Sequence, residues 1–180
     1  MSRILMPLAD GCEEMEVVIV ADVLRRAGLE VVMAGLKPGV ITAARGTGLL
    51  PDTVWDETDP ARFDMLVLPG GMGGTQALCE HAGVQAALKS FHAQGRWIGA
   101  ICAAPLALFR AGMLPGPAFT CYPGVEKEMP GTRRSEDRTV MDGRLITGQG
   151  PGTAFEFALK IVEELCGLRT AREVRDGLLL

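Results

Sequence analysis

Cys102 is the residue of this 180-residue chain whose setting most favours covalent chemistry. It stands in Gly99-Ala100-Ile101-Cys102-Ala103-Ala104-Pro105, where a buried strand reads as passing directly into a helix. A junction with a single residue between strand and helix is the geometry of a nucleophile elbow, which holds one side chain outward on a strained turn. Close strand–helix packing needs small neighbours, and Gly99, Ala100, Ala103 and Ala104 supply them. Pro105 suits a first helical turn, where its missing N–H is no loss. A thiol at a helix N-terminus feels unpaired amides and the positive end of the dipole, so its pKa is expected to fall. A free thiol with a pKa near 8.5 is roughly a tenth ionised or less at neutral pH, whereas one near about 5.5 is almost wholly thiolate. The competing reading is a small buried hydrophobe in a tight turn, since unpaired cysteines are often buried and inert.

Other segments supply partners for such a sulfur. Glu13-Glu14-Met15-Glu16 opens a helix, and acidic residues in a first turn complement the dipole. Two of the three carboxylates are expected to be solvated caps, and one to point across the strand ends towards Cys102. In an apolar pocket that carboxyl would have a raised pKa and could shuttle a proton. Leu68-Pro69-Gly70-Gly71-Met72-Gly73-Gly74 is a strand end followed by a glycine-rich loop. It lacks the Lys-Ser/Thr of a phosphate-binding loop, so the amides of Gly70 and Gly71 read either as an oxyanion hole or as a plain tight turn. Gly148-Gln149-Gly150-Pro151-Gly152-Thr153 fails as a dinucleotide fingerprint, because Thr153 replaces the third glycine. A backbone turn lining the pocket is the better reading. The two histidines, His81 and His92, lie near helix ends and are poor candidates for a base. No Cys/His spacing suggests a metal, and no cofactor is expected.

The elements that must position these groups follow from periodicity. Strands are expected over 4–9, 30–34, 64–69, 96–101, 119–122, 139–141 and 145–147. Helices are expected over 16–27, 74–80, 84–93, 103–111, 153–166 and 171–176, and a β-hairpin over 40–54. Near-continuous apolar strands separated by helices imply a mostly parallel sheet covered on both faces. The expected fold is therefore α/β, a three-layer sandwich of flavodoxin-like (Rossmann-like) type, in one domain over 1–180. In such a sheet ligands sit beyond the carboxyl ends of the strands, so the loops after Ala9, Leu68, Ile101 and Thr147 should build the site.

Composition agrees. Apolar residues make up 48% and charged ones 22%, enough for a full core. A net charge of −4 and the absence of any long Lys/Arg run argue against nucleic acid as the primary ligand. Nothing reads as a secretory signal or a membrane span. Five scattered cysteines indicate reduced thiols and a cytoplasmic setting.

With the Leu68-Pro69-Gly70-Gly71, Ala100-Ile101-Cys102-Ala103-Ala104-Pro105 and Gly150-Pro151-Gly152-Thr153 motifs in order, and Glu13-Glu14-Met15-Glu16 upstream, the chain resembles the ThiJ/PfpI family over nearly its whole length. It is most similar to the branch of Parkinson disease protein 7 and bacterial YajL. The resemblance implies a homodimer with an oxidation-sensitive nucleophile at Cys102 and a protonated glutamate, Glu16, beside it. It also implies an oxyanion site at the amides of Gly71 and Ala103, with Arg45 and Arg26 near the pocket and dimer interface. The branch's pocket histidine corresponds to Tyr122 here, which removes an imidazole from any mechanism. Ala103 stands where the family's peptidases carry His, which argues against peptidase activity. The implied activity is cysteine-dependent handling of reactive 2-oxoaldehydes, as a glutathione-independent glyoxalase or a deglycase of proteins and nucleotides. The alternative is a redox sensor or chaperone acting through oxidation of Cys102.

Overall fold

The computed structural model describes residues 2–114, 116 and 118–180. The chain runs β1 (Arg3–Leu8), α1 (Glu14–Arg26), β2 (Glu30–Gly35), a small hairpin of β3 (Ile41–Thr42) and β4 (Gly48–Leu49), and β5 (Thr53–Val54). It continues through β6 (Met65–Leu68), α2 (Met72–Glu80), α3 (Ala82–Ala93), β7 (Trp97–Ile101) and α4 (Pro105–Arg110). β8 (Thr139–Asp142), β9 (Leu145–Gly148), α5 (Ala154–Cys166) and α6 (Leu168–Gly177) complete it. Seven strands form one sheet in the order β5-β2-β1-β6-β7-β9-β8, parallel throughout except for the antiparallel β8–β9 pair. The α/β, mostly parallel, flavodoxin-like sandwich expected from the pattern is the observed architecture.

Every residue of β6 and β9 is buried, as strands covered on both faces must be. α1, α5 and α6 pack together as one helical layer, and α2, α3 and α4 as the other. α1 buries Val17, Val20, Ala21 and Leu24, and α5 buries Phe157, Ala158, Ile161 and Val162. Both sets have the i, i+3, i+4 spacing that puts side chains on one helical face. Phe157 lies so close to the sheet that a Cβ at Gly99 would sit 3.0 Å from its Cζ, which explains the glycine in β7.

Three expectations need correction. Residues 119–122 form no strand, because β8 already occupies the free edge of β9. Their backbone bonds are irregular: Thr120 N–H donates to Thr147 Oγ1 (2.9 Å) and Ser135 N–H donates to the Phe119 carbonyl (2.8 Å). The hairpin is confined to β3 and β4, while β5 leaves it to pair with β2 at the sheet edge. The helix after Cys102 begins at Pro105 rather than Ala103, because residues 102–104 form a turn closed by Ala104 N–H to the Ile101 carbonyl (3.0 Å).

Phe157 is fully buried between α5 and the sheet. Phe157→Ala should cost about 3–5 kcal/mol through lost burial and an unfilled cavity. Urea unfolding of the two proteins would show the drop, and a loss below about 1 kcal/mol would contradict this packing.

Candidate active site

The carboxyl ends of β1, β6, β7 and β9 bring the four loops into contact. Glu13 N–H donates to the Gly70 carbonyl (3.0 Å), Cys102 N–H to the Gly148 carbonyl (2.9 Å), and Tyr122 N–H to the Cys102 carbonyl (2.8 Å). The β3–β4 hairpin is tied to the first loop by Gly11 N–H to the Thr42 carbonyl and Ala44 N–H to the Cys12 carbonyl, both 2.8 Å.

Cys102 has φ +63, a left-handed conformation that is rare for a residue with a side chain, and its sulfur comes off the elbow turn. The residue is 9% exposed. Glu16 is fully buried on α1, two residues beyond the solvated part of the acidic run. Its Oε2 accepts the Gly70 N–H at 2.7 Å, while Oε1 is buried and accepts no well-formed hydrogen bond. The Cys102 thiol and this carboxyl act on each other electrostatically, and the Gly71 and Ala103 amides favour the charged form of the sulfur.

The glycines are required by this crowding. A Cβ on Gly70 would lie 2.5 Å from Cys102 Cβ and 2.7 Å from Glu16 Oε2. Gly71 has φ +82, and a Cβ there would collide with the Gly11 carbonyl and reach 2.5 Å from Glu13 N. Only a bare backbone lets these amides approach carboxyl and sulfur together.

Burial is the first cause of the electrostatics at both groups. It raises Glu16 to about 7, opposed by the Gly70 amide and the Cys102 thiol. It also raises Cys102 to about 12, and the Glu16 charge adds to it while the Gly71 and Ala103 amides oppose it. The depressed thiol pKa expected from the sequence is thus not what this environment produces. The sulfur is desolvated, and the helix that was to stabilise its anion starts three residues later. Two adjoining acids, however, lose their protons in steps that belong to the pair. Glu16, at about 7, is the partner that ionises first, and its charge adds to the burial that keeps the proton on the Cys102 sulfur.

Burial also raises Cys12 to about 12 and Cys121 to about 11, and pushes up Cys79 and Cys166. None of those thiols shares a proton with a buried carboxyl, so Cys102 is set apart by its partner rather than by its own pKa.

The remaining sequence candidates separate into two groups. Tyr122 is half exposed and stands over Gly150, where a Cβ would lie 3.1 Å from its Cδ2 and 4.0 Å from the Cys102 sulfur. Pro151 follows in a short 3-10 turn over 151–153. These residues, with Gly70, Gly71 and Ala103, gather around Cys102. Arg45 is exposed on the hairpin turn, where its N–H donates to the Glu14 carboxylate (3.0 Å), and among the described residues it makes no hydrogen bond with Cys102. Arg26 lies at the far end of α1, about 15 Å along the helix from Glu16, paired with Asp22 at 2.6 Å. Within one chain it does not reach Cys102. His81 caps α3 by accepting the Val84 N–H (3.2 Å), and His92 is exposed. Among the described residues no group of three His, Cys, Asp or Glu side chains is placed to hold a metal ion, and no helix is long and apolar enough to cross a membrane.

Sequence reasoning missed Gly150 as the residue that keeps space open above the sulfur. Its signal was the absence of a side chain in a turn read only as lining. It also missed Glu14 as the clamp of the hairpin turn.

A parallel sandwich with a left-handed cysteine elbow and a buried glutamate at its strand ends defines the class of this protein. The chain belongs to the DJ-1/PfpI family, whose sequence model matches residues 2–164. It is 47% identical over 176 residues to protein dj-1beta of Drosophila melanogaster, covering 96% of this chain and 94% of that one. It is 40% identical over 166 residues to the glutathione-independent glyoxalase DJR-1.2 of Caenorhabditis elegans, covering 91% and 88% of the two chains. The crystal structure of Drosophila melanogaster DJ-1beta matches it with a TM-score of 0.95 at 44% identity, over 100% of this chain and 99% of that one.

A carboxyl with a folded pKa near 7 and an unfolded value near 4.5 holds its proton more tightly when folded. Its contribution to stability is therefore full below the unfolded value and is lost as pH rises through 7. Glu16→Gln keeps an acceptor for Gly70 N–H without the charge. Relative to wild type it should gain stability between pH 5 and 8, on the order of 2–3 kcal/mol. Parallel melting curves across that range would contradict the buried-carboxyl assignment.

Proposed function

We propose that this protein converts small 2-oxoaldehydes into 2-hydroxy acids without glutathione, using Cys102 as nucleophile and Glu16 as the proton carrier. The observation that carries this reading is the convergence of Cys102 and the buried Glu16 carboxyl on Gly70, where a Cβ would lie 2.5 Å from Cys102 Cβ and 2.7 Å from Glu16 Oε2. The 40% identity to a relative described as a glutathione-independent glyoxalase supports it.

In the pair's singly protonated state, the Glu16 carboxylate takes the thiol proton as the Cys102 sulfur adds to the aldehyde carbon. The new C–O⁻ lies against the amides and takes the proton from Glu16. Glu16, now a carboxylate, removes the hydrogen on C1 and returns it to C2, and the C1 hydroxyl proton passes to the C2 oxygen. The product is a 2-hydroxyacyl thioester. Water attacks this thioester, one of its protons reaching the departing sulfur through Glu16, which releases the 2-hydroxy acid and restores the thiol and the carboxylate. The half-exposed Tyr122 ring borders the opening over the sulfur and offers no imidazole, so Glu16 carries every proton step. Hemiaminals formed by the same aldehydes on protein or nucleotide amines present the same C1 carbon, which extends the reading to deglycation. The reading includes a cytoplasmic homodimer, in keeping with the unpaired thiols and the exposed Met15 and Val18 on α1.

The sulfur's setting favours one second reading. Amides that hold a substrate oxyanion also suit the oxygens of a sulfinate. Two equivalents of peroxide would oxidise Cys102 to that state, each peroxide giving up one oxygen and leaving as water. Turnover of aldehyde separates the enzyme from a sensor or chaperone.

Cys102→Ser should retain the fold and lose methylglyoxal consumption and lactate formation to below about a tenth of wild type, because a hydroxyl is a far weaker nucleophile at neutral pH. Activity above that level would refute the nucleophile. For wild type, kcat/KM should rise with pH up to about 7 and then level off, since protonated Glu16 cannot take the thiol proton. A flat profile from pH 5 to 8 would contradict the shared proton.

A further inference from the structure

At the opposite edge of the sheet, the chain preceding four parallel strands builds a basic depression of about 390 Å³. Arg62, Arg96 and Arg144 line it, with Ser2, Asp64 and Trp97 among the other walls. These residues sit before or at the starts of β1, β6, β7 and β9. Trp97 and Cys102 are separated by the length of β7, about 16 Å, so the depression is distinct from the candidate active site.

Three guanidinium groups against the one carboxylate of Asp64 leave the depression positive. Glu30 is occupied by Arg3, which donates from Nε and from NH2 at 2.9 Å each. Asp64 Oδ2 accepts the Arg3 backbone N–H at 2.8 Å. Among the described residues, Arg62, Arg96 and Arg144 form no ion pair. A chain of net charge −4 thus concentrates three unpaired guanidinium groups in one concavity.

Two of the three are also held in place. The Arg144 guanidinium lies over the Trp97 ring at 5.7 Å, and that of Arg96 over the Phe91 ring at 5.3 Å. Arg96 NH1 donates to the Ala61 and Phe63 carbonyls at 2.8 and 2.9 Å, which leaves its other nitrogens without a hydrogen-bond partner. Stacked and tethered guanidinium groups lose little freedom when they bind, and their planar forks match the oxygens of a tetrahedral anion. The Arg62 side chain makes no hydrogen bond among the described residues.

We propose that this depression binds a dianionic phosphoryl group, as free phosphate or as the head of a small phosphomonoester. Arg96 and Arg144 form its fixed wall, and Arg62 is the arm that closes on the ligand. The site is independent of the chemistry at Cys102.

Inorganic phosphate and glycerol phosphate, each titrated into the full-length protein at low and high salt, test it by calorimetry and by Trp97 fluorescence. Saturable binding of either is expected, weakening as salt rises. Arg62→Ala, which removes no hydrogen bond of the fold, and Arg144→Ala should each weaken it about tenfold or more. Arg172→Ala, on α6 and outside the depression, should leave it unchanged. Tighter binding of glycerol phosphate would assign the site to monoesters, and tighter binding of inorganic phosphate to the free ion. Absence of saturable binding to both ligands, or equal binding by wild type and the Arg62 and Arg144 variants, would overturn the proposal.

Discussion

A carboxyl group pressed against a thiol inside a desolvated pocket is the arrangement on which the rest of this molecule depends. Either group alone would be inert in such a place, because burial keeps an isolated acid protonated. Together they hold one proton between them near neutrality, and the negative charge left behind is met by three backbone amides. This constraint explains why α1 must enter with Glu16 turned inward, why β6 ends in two glycines, and why β7 ends in a left-handed cysteine. Each feature is locally unfavourable. A buried glutamate, a strained elbow and crowded glycine backbones persist because the sheet and its two helical layers over-determine them.

The sheet also divides the labour of the molecule. Its carboxyl ends converge on Cys102, and its apolar middle, with β6 and β9 wholly buried, supplies the rigidity that holds the elbow. Its opposite edge gathers stacked arginines. Parallel topology makes this separation possible, since every central strand delivers its end to one side and its start to the other.

Much of the fold was legible in the sequence. Short apolar runs alternating with amphipathic stretches leave little choice of architecture, and the strands at 3–8, 65–68, 97–101 and 145–148 follow directly from them. The run at 119–122 misled because apolar content reports burial rather than pairing. Phe119, Thr120 and Cys121 are buried beside β9 without entering a ladder. Cys102 was visible as an elbow from its small neighbours. Glu16 was not separable from Glu13 and Glu14 by composition, although helical phase does separate them: Glu16, Val20 and Val23 fall on one stripe, and all three are buried. The direction of the thiol pKa was misjudged because spacing shows a nearby helix but not the loss of solvent. Arg26 was carried over on resemblance, and within one chain the length of α1 separates it from Cys102.

The claim that Cys102 and Glu16 share a proton is tested most directly by the pH dependence of iodoacetamide alkylation at Cys102, located by peptide mass. The shared proton predicts a half-maximal rate near pH 7, with modification faster than that of glutathione at neutral pH. A midpoint at or above the value of an ordinary thiol, about 8.5, would contradict it.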